Sequence, residues 1–250
     1  MDSIGTKGYS STTEMKGRDA LLQLMKHSPI PDGQVLENMG LFLTSKDLSR
    51  ILFLDFLYRQ IIDLQGVIFD FGTRWGNNMS VFSALRGTYE PFNRHRKIIG
   101  FDTFSGFPSV SEKDGQSDLM KSGNVSVTPD YSSYLEKIIE TQENLNPLSH
   151  ISKFEIVKGD ASKTIHEYLN NNPHTIVSLA YFDFDIYQPT KDVLMAICGR
   201  IPKGSVLAFD ELNDADSPGE TLAVKEVYGF PSINLRRYRY ASRVSYFVME

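Results

Sequence analysis

The stretch Val67-Ile-Phe-Asp-Phe-Gly-Thr-Arg-Trp-Gly-Asn-Asn78 constrains the fold more than any other part of the chain. Its apolar start, Val67 to Phe69, reads as a buried strand. Asp70 introduces a turn running from Gly72 to Gly76, and Asn77 and Asn78 lead into a helical run from Met79 to Leu85. Glycines at such a turn let the backbone come close to a ligand, and the amino end of the following helix offers free N–H donors. About thirty residues later, Lys97-Ile-Ile-Gly-Phe-Asp102 reads as a second strand that ends in an acid. In nucleoside-binding α/β folds an acid at that place takes the ribose hydroxyls.

From Gly66 onward strand and helix patterns alternate, the signature of a parallel sheet flanked by helices. Strands are expected at Val67–Phe71, Ile98–Asp102, Phe154–Lys158, Ile176–Asp183 and Ser205–Asp210. The intervening helices are expected at Met79–Arg86, Tyr131–Leu145, Ala161–Asn170, Thr190–Cys198 and Thr221–Tyr228. Two β-rich runs then follow, Ile233–Tyr240 and Arg243–Glu250, with too short a connection for a parallel crossover, so they pair as an antiparallel hairpin. This predicts a Rossmann-like α/β fold: a seven-stranded, mainly parallel sheet with an antiparallel carboxyl-terminal hairpin and helices on both faces. The glycine turn is not Gly-x-Gly-x-x-Gly, which argues against a dinucleotide and for S-adenosylmethionine (SAM). Five parallel strands followed by a hairpin is the order expected of a SAM-dependent methyltransferase core.

Ahead of this domain, taken as residues 66–250, lies a helical extension over residues 1–65. Residues 1 to about 12 are expected to be mobile, and Glu14–Lys26 has helical spacing. A second helical region, Leu36 to Leu64, breaks near Gly40 and restarts with an N-cap at Thr44 or Ser45. Its apolar positions Leu48, Ile51, Leu52, Leu54, Phe56 and Ile61 suit one sheet face or a partner subunit, which predicts a homodimer. An aperiodic insertion at about 104–130, rich in Gly, Ser, Asp and Pro, is expected to act as a substrate lid.

A formal charge of −5 gives no electrostatic case for nucleic acid. Arg236, Arg237, Arg239 and Arg243 read as a solvated strand face. No apolar run is long enough for a membrane span, and the polar start shows no secretory signal. One cysteine, Cys198, fits a reducing cytoplasm and reads as a core thiol of a helix. The five histidines, His27, His95, His150, His166 and His174, are scattered and read as surface residues.

Two further strands end in acids: Tyr181-Phe-Asp-Phe-Asp-Ile-Tyr187 and Leu207-Ala-Phe-Asp-Glu211. Ligands of open parallel sheets bind beyond the carboxyl ends of the strands, so these acids should face the same crevice as Gly72 and Asp102. Carboxylates gathered there repel one another unless a cation intervenes, and hard oxygen donors favour Mg²⁺ or a similar divalent ion. Asp185 also lies where it could cap the next helix. Asp160, after the third strand, reads either as a partner for an adenine amino group or as an N-cap.

These segments, Phe69–Gly76, Gly100–Phe107, Gly159-Asp-Ala161, Asp183–Tyr187 and Phe209–Glu211, together resemble the macrocin O-methyltransferase family, metal-dependent class I methyltransferases acting on sugars of natural products. The family's Asp-x-Asp-x-Tyr motif falls on Asp183, Asp185 and Tyr187. Its later acidic pair, usually Asp-Asp, falls on Asp210 and Glu211. The resemblance implies that Asp183, Asp210 and Glu211 hold the ion and that Asp185 is the general base. SAM would lie over Phe71, Gly72, Thr73, Arg74 and Gly76, with its ribose end near Asp102 and Thr103 and further contacts from Asp160, Ala161 and Asp183. The expected activity is O-methylation of a sugar or sugar-nucleotide hydroxyl. Alternatives are a non-sugar acceptor of the same fold, or a SAM-binding partner subunit without turnover.

Overall fold

The computed structural model describes residues 10–250. The seven-stranded sheet has the order β3-β2-β1-β4-β5-β7-β6. Its strands are β1 (Val67–Phe71), β2 (Ile98–Asp102), β3 (Phe154–Lys158), β4 (Val177–Phe182), β5 (Val206–Phe209), β6 (Arg236–Arg237) and β7 (Ser245–Val248). The first five run parallel, and β7 pairs antiparallel with both β5 and β6, as expected of the hairpin. The strand order reverses between β1 and β4, which opens a crevice at their carboxyl ends.

Helices cover both faces: α1 (Thr12–Lys26), α2 (Ser45–Gln60), α3 (Asn77–Tyr89), α4 (Tyr131–Asn144), α5 (Ala161–Asn171), α6 (Tyr187–Ile197) and α7 (Gly219–Val227). Alternation along β1 divides the core. Phe69 and Phe71 point into an apolar layer shared with Ile165 of α5, Val193 and Leu194 of α6 and Val224 of α7. Ile68 points into the opposite layer with Phe53 and Leu57 of α2, Met79 and Phe82 of α3 and Leu135 of α4.

Helix α2 starts at a capping box in which Thr44 and Asp47 satisfy each other's backbone N–H groups. Its stripe Arg50, Phe53, Leu54, Leu57 and Ile61 faces inward, whereas Leu48 and Leu52 on the other side are exposed. Helix α1 has no buried residue. The mobility expected of the amino end concerns mainly residues 1–9, outside the described residues, while Ser11 caps α1 in a second capping box.

Two local expectations are corrected. Helix α6 ends at Ile197, so Cys198 opens a short 3₁₀ turn and is exposed instead of lying in the core. Of the arginine cluster, Arg236, Arg237 and Arg239 are solvated, but Arg243 lies in the β6–β7 connection and turns into the crevice. All five histidines are exposed. No helix among the described residues is long and apolar enough to cross a membrane.

Candidate active site

A cavity of about 310 Å³ opens at the carboxyl ends of β1, β2, β4 and β5, a size suited to a small-molecule ligand. One wall is the turn after β1. Gly72 has φ +80°, and a Cβ there would lie 2.0 Å from the carbonyl oxygen of Asp183, so only glycine lets β1 leave the sheet beside β4. Arg74, also at positive φ, turns its backbone N–H onto Asp102 Oδ2 at 2.7 Å. Phe104 N–H donates to the other oxygen of Asp102 at 2.5 Å. The acid that ends β2 is thereby fixed at the cavity edge. Burial pushes its pKa up, and these two backbone donors oppose the shift.

The opposite wall is acidic. Oxygens of Asp183, Asp185 and Glu211 lie within 4.8 Å of one another. Asp185 is 7 % exposed, its Oδ1 has no hydrogen-bond partner, and its backbone sits at φ +61°. A strained, buried and unpaired carboxylate at a strand end is a costly arrangement of the kind that functional sites retain. Burial and the charge of Asp183 push the Asp185 pKa well above the usual carboxylate range. Burial and Asp210 likewise raise Asp183, to about 8, against the pull of Arg50. Hard oxygens in this number and spacing fit a divalent cation.

Two arginines temper this charge. Arg50 reaches in from α2, donating from Nη2 to Asp183 Oδ2 at 2.8 Å and from Nη1 to Asp210 Oδ1 at 3.0 Å. Its Nε donates to Asn78 Oδ1 at 3.1 Å, and Asn78 in turn donates to the buried Asp70 at 2.9 Å. Burial raises Asp70 to about 6. Burial opposes the charge on Arg50, but Tyr181, Asp210 and Asp183 outweigh it and hold the guanidinium protonated. Arg243 pairs with Glu211, whose other oxygen accepts from Ser217 Oγ at 2.7 Å. Asp210 also accepts from Tyr181 Oη at 2.8 Å.

The cavity therefore gathers Gly72, Arg74, Asp102, Thr103, Asp160, Ala161, Asp183, Asp185, Asp210 and Glu211, all singled out from the sequence. Three residues predicted to touch the cofactor do not line it. Phe71 is fully buried in the apolar layer, Thr73 donates its hydroxyl to the Asp70 carbonyl, and Gly76 is the N-cap of α3, packed against Leu135. Asp160 takes its expected place as the N-cap of α5, accepting from Ser162 N–H at 3.0 Å, and it also lines the cavity. Asp185 caps nothing, since α6 begins after Ile186.

Sequence reasoning missed Arg50, Arg243, Tyr181 and the fully buried Glu220, whose Oε1 accepts from Phe184 N–H at 2.9 Å. Only Arg50 carried a signal, a charge on the inward stripe of α2. The segment over 104–130 packs Phe107 and Met120 against Ile186, and it roofs the cavity with Gly106, Phe107 and Leu119.

No family model and no curated protein matches the chain. Solved structures do. A structure of the calicheamicin methyltransferase CalS11 is 38% identical, with a TM-score of 0.94, covering 99% of this chain and 97% of that one. An apo structure of CalS11, described as a TDP-rhamnose 3'-O-methyltransferase, is 35% identical with a TM-score of 0.86, covering 99% of both chains. The O-methyltransferase NovP, 16% identical with a TM-score of 0.61 over 81% of this chain and 80% of its own, shares the fold. With near-complete coverage at this identity, and with the glycine turn, Asp102 and the paired acids converging on one cavity, the chain belongs to the macrocin O-methyltransferase-like family of SAM-dependent O-methyltransferases.

Proposed function

We propose that the protein methylates a hydroxyl of a nucleotide-linked sugar, assisted by a divalent ion. The observation that carries the reading is the unpaired, buried Oδ1 of Asp185 on the acidic wall, facing the same cavity as Gly72 and Asp102. The acceptor class rests on CalS11, described as acting on TDP-rhamnose. SAM supplies the electrophilic methyl group when bound. Asp102 accepts from the ribose hydroxyls and Asp160 from a base amino group; this reading is supported by the two backbone donors that hold Asp102 and by the α5 cap that holds Asp160 at the cavity. Asp185 takes the proton of the acceptor hydroxyl, which then attacks the methyl carbon in line. The segment over 104–130 serves as the lid that keeps water out. By the family resemblance Asp183, Asp210 and Glu211 would hold the ion, although the carboxylate oxygens that cluster here are those of Asp183, Asp185 and Glu211, while Asp210 is bonded to Arg50 and Tyr181. The ion's charge would lower the pKa of a hydroxyl beside it. Most of the rate gain then comes from positioning and from stabilising the developing alkoxide.

The test is to incubate the protein with SAM and a panel of thymidine diphosphate sugars, with and without EDTA. Mass spectrometry follows the methylated sugar and S-adenosylhomocysteine. Transfer that EDTA abolishes is expected. Transfer only to phenols or amines would refute the sugar assignment, full activity in EDTA the ion, and SAM binding without turnover the enzymatic reading of this site.

We also propose a cytoplasmic location, which suits the single free Cys198, and a homodimer. Its support is the exposed apolar surface of the helical extension (residues 1–65), including Leu24, Leu36, Leu41, Leu48 and Leu52. Light scattering at micromolar concentration is expected to give twice the 28.3 kDa chain mass, and the monomer mass would reject the dimer.

A further inference from the structure

Arg50 sits where a cation is needed. Its guanidinium bridges Asp183 and Asp210, two of the three acids proposed to hold the divalent ion, at 2.8 and 3.0 Å. This is no passing surface contact. Asn78 fixes the third guanidinium edge at 3.1 Å, the Tyr181 ring lies 5.7 Å beneath the guanidinium carbon, and Tyr181 Oη shares Asp210 Oδ1. The side chain is two-thirds covered, at 33% exposure. Five carboxyl groups, those of Asp183, Asp185, Asp210, Glu211 and Glu220, meet on this wall, and the ion pairs to them come from Arg50 and Arg243. The crevice is thus still short of positive charge, yet three of its acids, Asp183, Asp210 and Glu211, are already paired with arginine.

Resting on the ion-assisted reading above, we infer that Arg50 is a built-in counter-cation that competes with the divalent ion for Asp183 and Asp210. An ion taking Asp210 and Asp183 as ligands displaces the guanidinium from the same carboxylate oxygens, because two cations sharing them repel. Binding is therefore coupled to withdrawal of the arginine, and through it to the seating of α2 over the crevice. Without the ion, Arg50 keeps the acids from driving each other apart. With it, the guanidinium is freed at the cavity mouth, where Lys46, one turn earlier on α2, also lies. The competition lowers apparent ion affinity by the strength of the Arg50 contacts.

The test uses Mn²⁺ with the full-length protein, reading free Mn²⁺ by electron paramagnetic resonance. Arg50→Gln should bind Mn²⁺ roughly 10- to 100-fold tighter than wild type, the factor equivalent to losing charge-assisted hydrogen bonds. Arg50→Lys, which can reach one carboxylate at a time, should fall between them. In wild-type protein labelled with ¹⁵N-arginine, the Arg50 Nε–H resonance should move on Mg²⁺ addition; this readout needs no glutamine variant to fold. Equal or weaker Mn²⁺ binding by Arg50→Gln overturns the competition, as does an Arg50 resonance unmoved at Mg²⁺ saturation. Those results leave the ion site itself standing. Absence of Mn²⁺ binding in every form removes the ion, and the competition with it.

Discussion

The two ends of this sheet both bury charge, and they treat it in opposite ways. At the amino ends of β1, β2 and β4, Arg96 is 1% exposed and spends its guanidinium completely. It donates to both oxygens of Glu90, to the carbonyls of Gly66, Ile61 and Leu64, and to Ser178 Oγ. Nearby, Glu143 is held between Arg86 and Lys153. At the carboxyl ends, acids outnumber arginines, and Asp185 Oδ1 and Glu220 Oε2 lack a hydrogen bond as Glu143 Oε2 does, but without the lysine ion pair that holds Glu143. Buried charge that is fully paired ties elements together. Buried charge left short of partners costs stability and is kept where a ligand completes it.

That contrast makes opposite demands on mutants. The largest effect is expected at the crevice, where Asp185→Asn keeps the shape but removes the base. Turnover should fall about 10²–10⁴-fold, the usual worth of general-base catalysis, with SAM affinity little changed and the melting temperature unchanged or raised, since a buried charge short of partners is removed. Near-normal kcat would mean that the ion alone acidifies the hydroxyl. At the other end, Arg96→Ala strands Glu90 and several carbonyls, and should cost about 3–5 kcal/mol in urea unfolding. The surviving folded protein should keep its kcat. A variant that is stable but slow would break the comparison, because the structural end would then be serving catalysis.

The comparison also shows what could be read in advance. The limits of β1, β2 and β3 were legible to the residue, since each is a short apolar-rich run closed by a glycine or an acid. The hairpin was legible in kind but not extent. Only Arg236 and Arg237 pair, opposite Tyr246 and Ser245, because an edge strand has one neighbour to hold it. In the site, acids at strand ends were legible because topology alone sends every strand end to one crevice. Their arginine partners were not. Arg50 meets Asp183 and Asp210 across more than a hundred residues of chain, and no local rule encodes that meeting. What was visible is that Arg50 lies on the same stripe as Phe53, Leu54 and Leu57. Yet Arg86 lies on the stripe of Met79, Phe82 and Ser83, and it serves the structural end. A charge on an apolar stripe thus marks a buried arginine without saying which end of the sheet it faces.

The smallest expected effect tests whether the crevice is paying in stability for its charge. Glu220 is fully buried, and burial lifts its pKa from 4.5 to about 7. The folded state therefore binds this proton more tightly than the unfolded chain does. The group's contribution is intact below about pH 4.5 and is lost as pH rises through 7. Glutamine keeps an oxygen for Phe184 N–H but never ionises. In EDTA, so that no ion masks the charge, Glu220→Gln should stabilise the protein by roughly 1–3 kcal/mol at pH 8. The gain should vanish at and below pH 4.5, where both side chains are neutral. Urea unfolding at the two pH values gives the comparison directly. An equal gain at both would mean that packing, and not charge, distinguishes the variants, and Glu220 would then belong with the paired residues at the opposite end of the sheet.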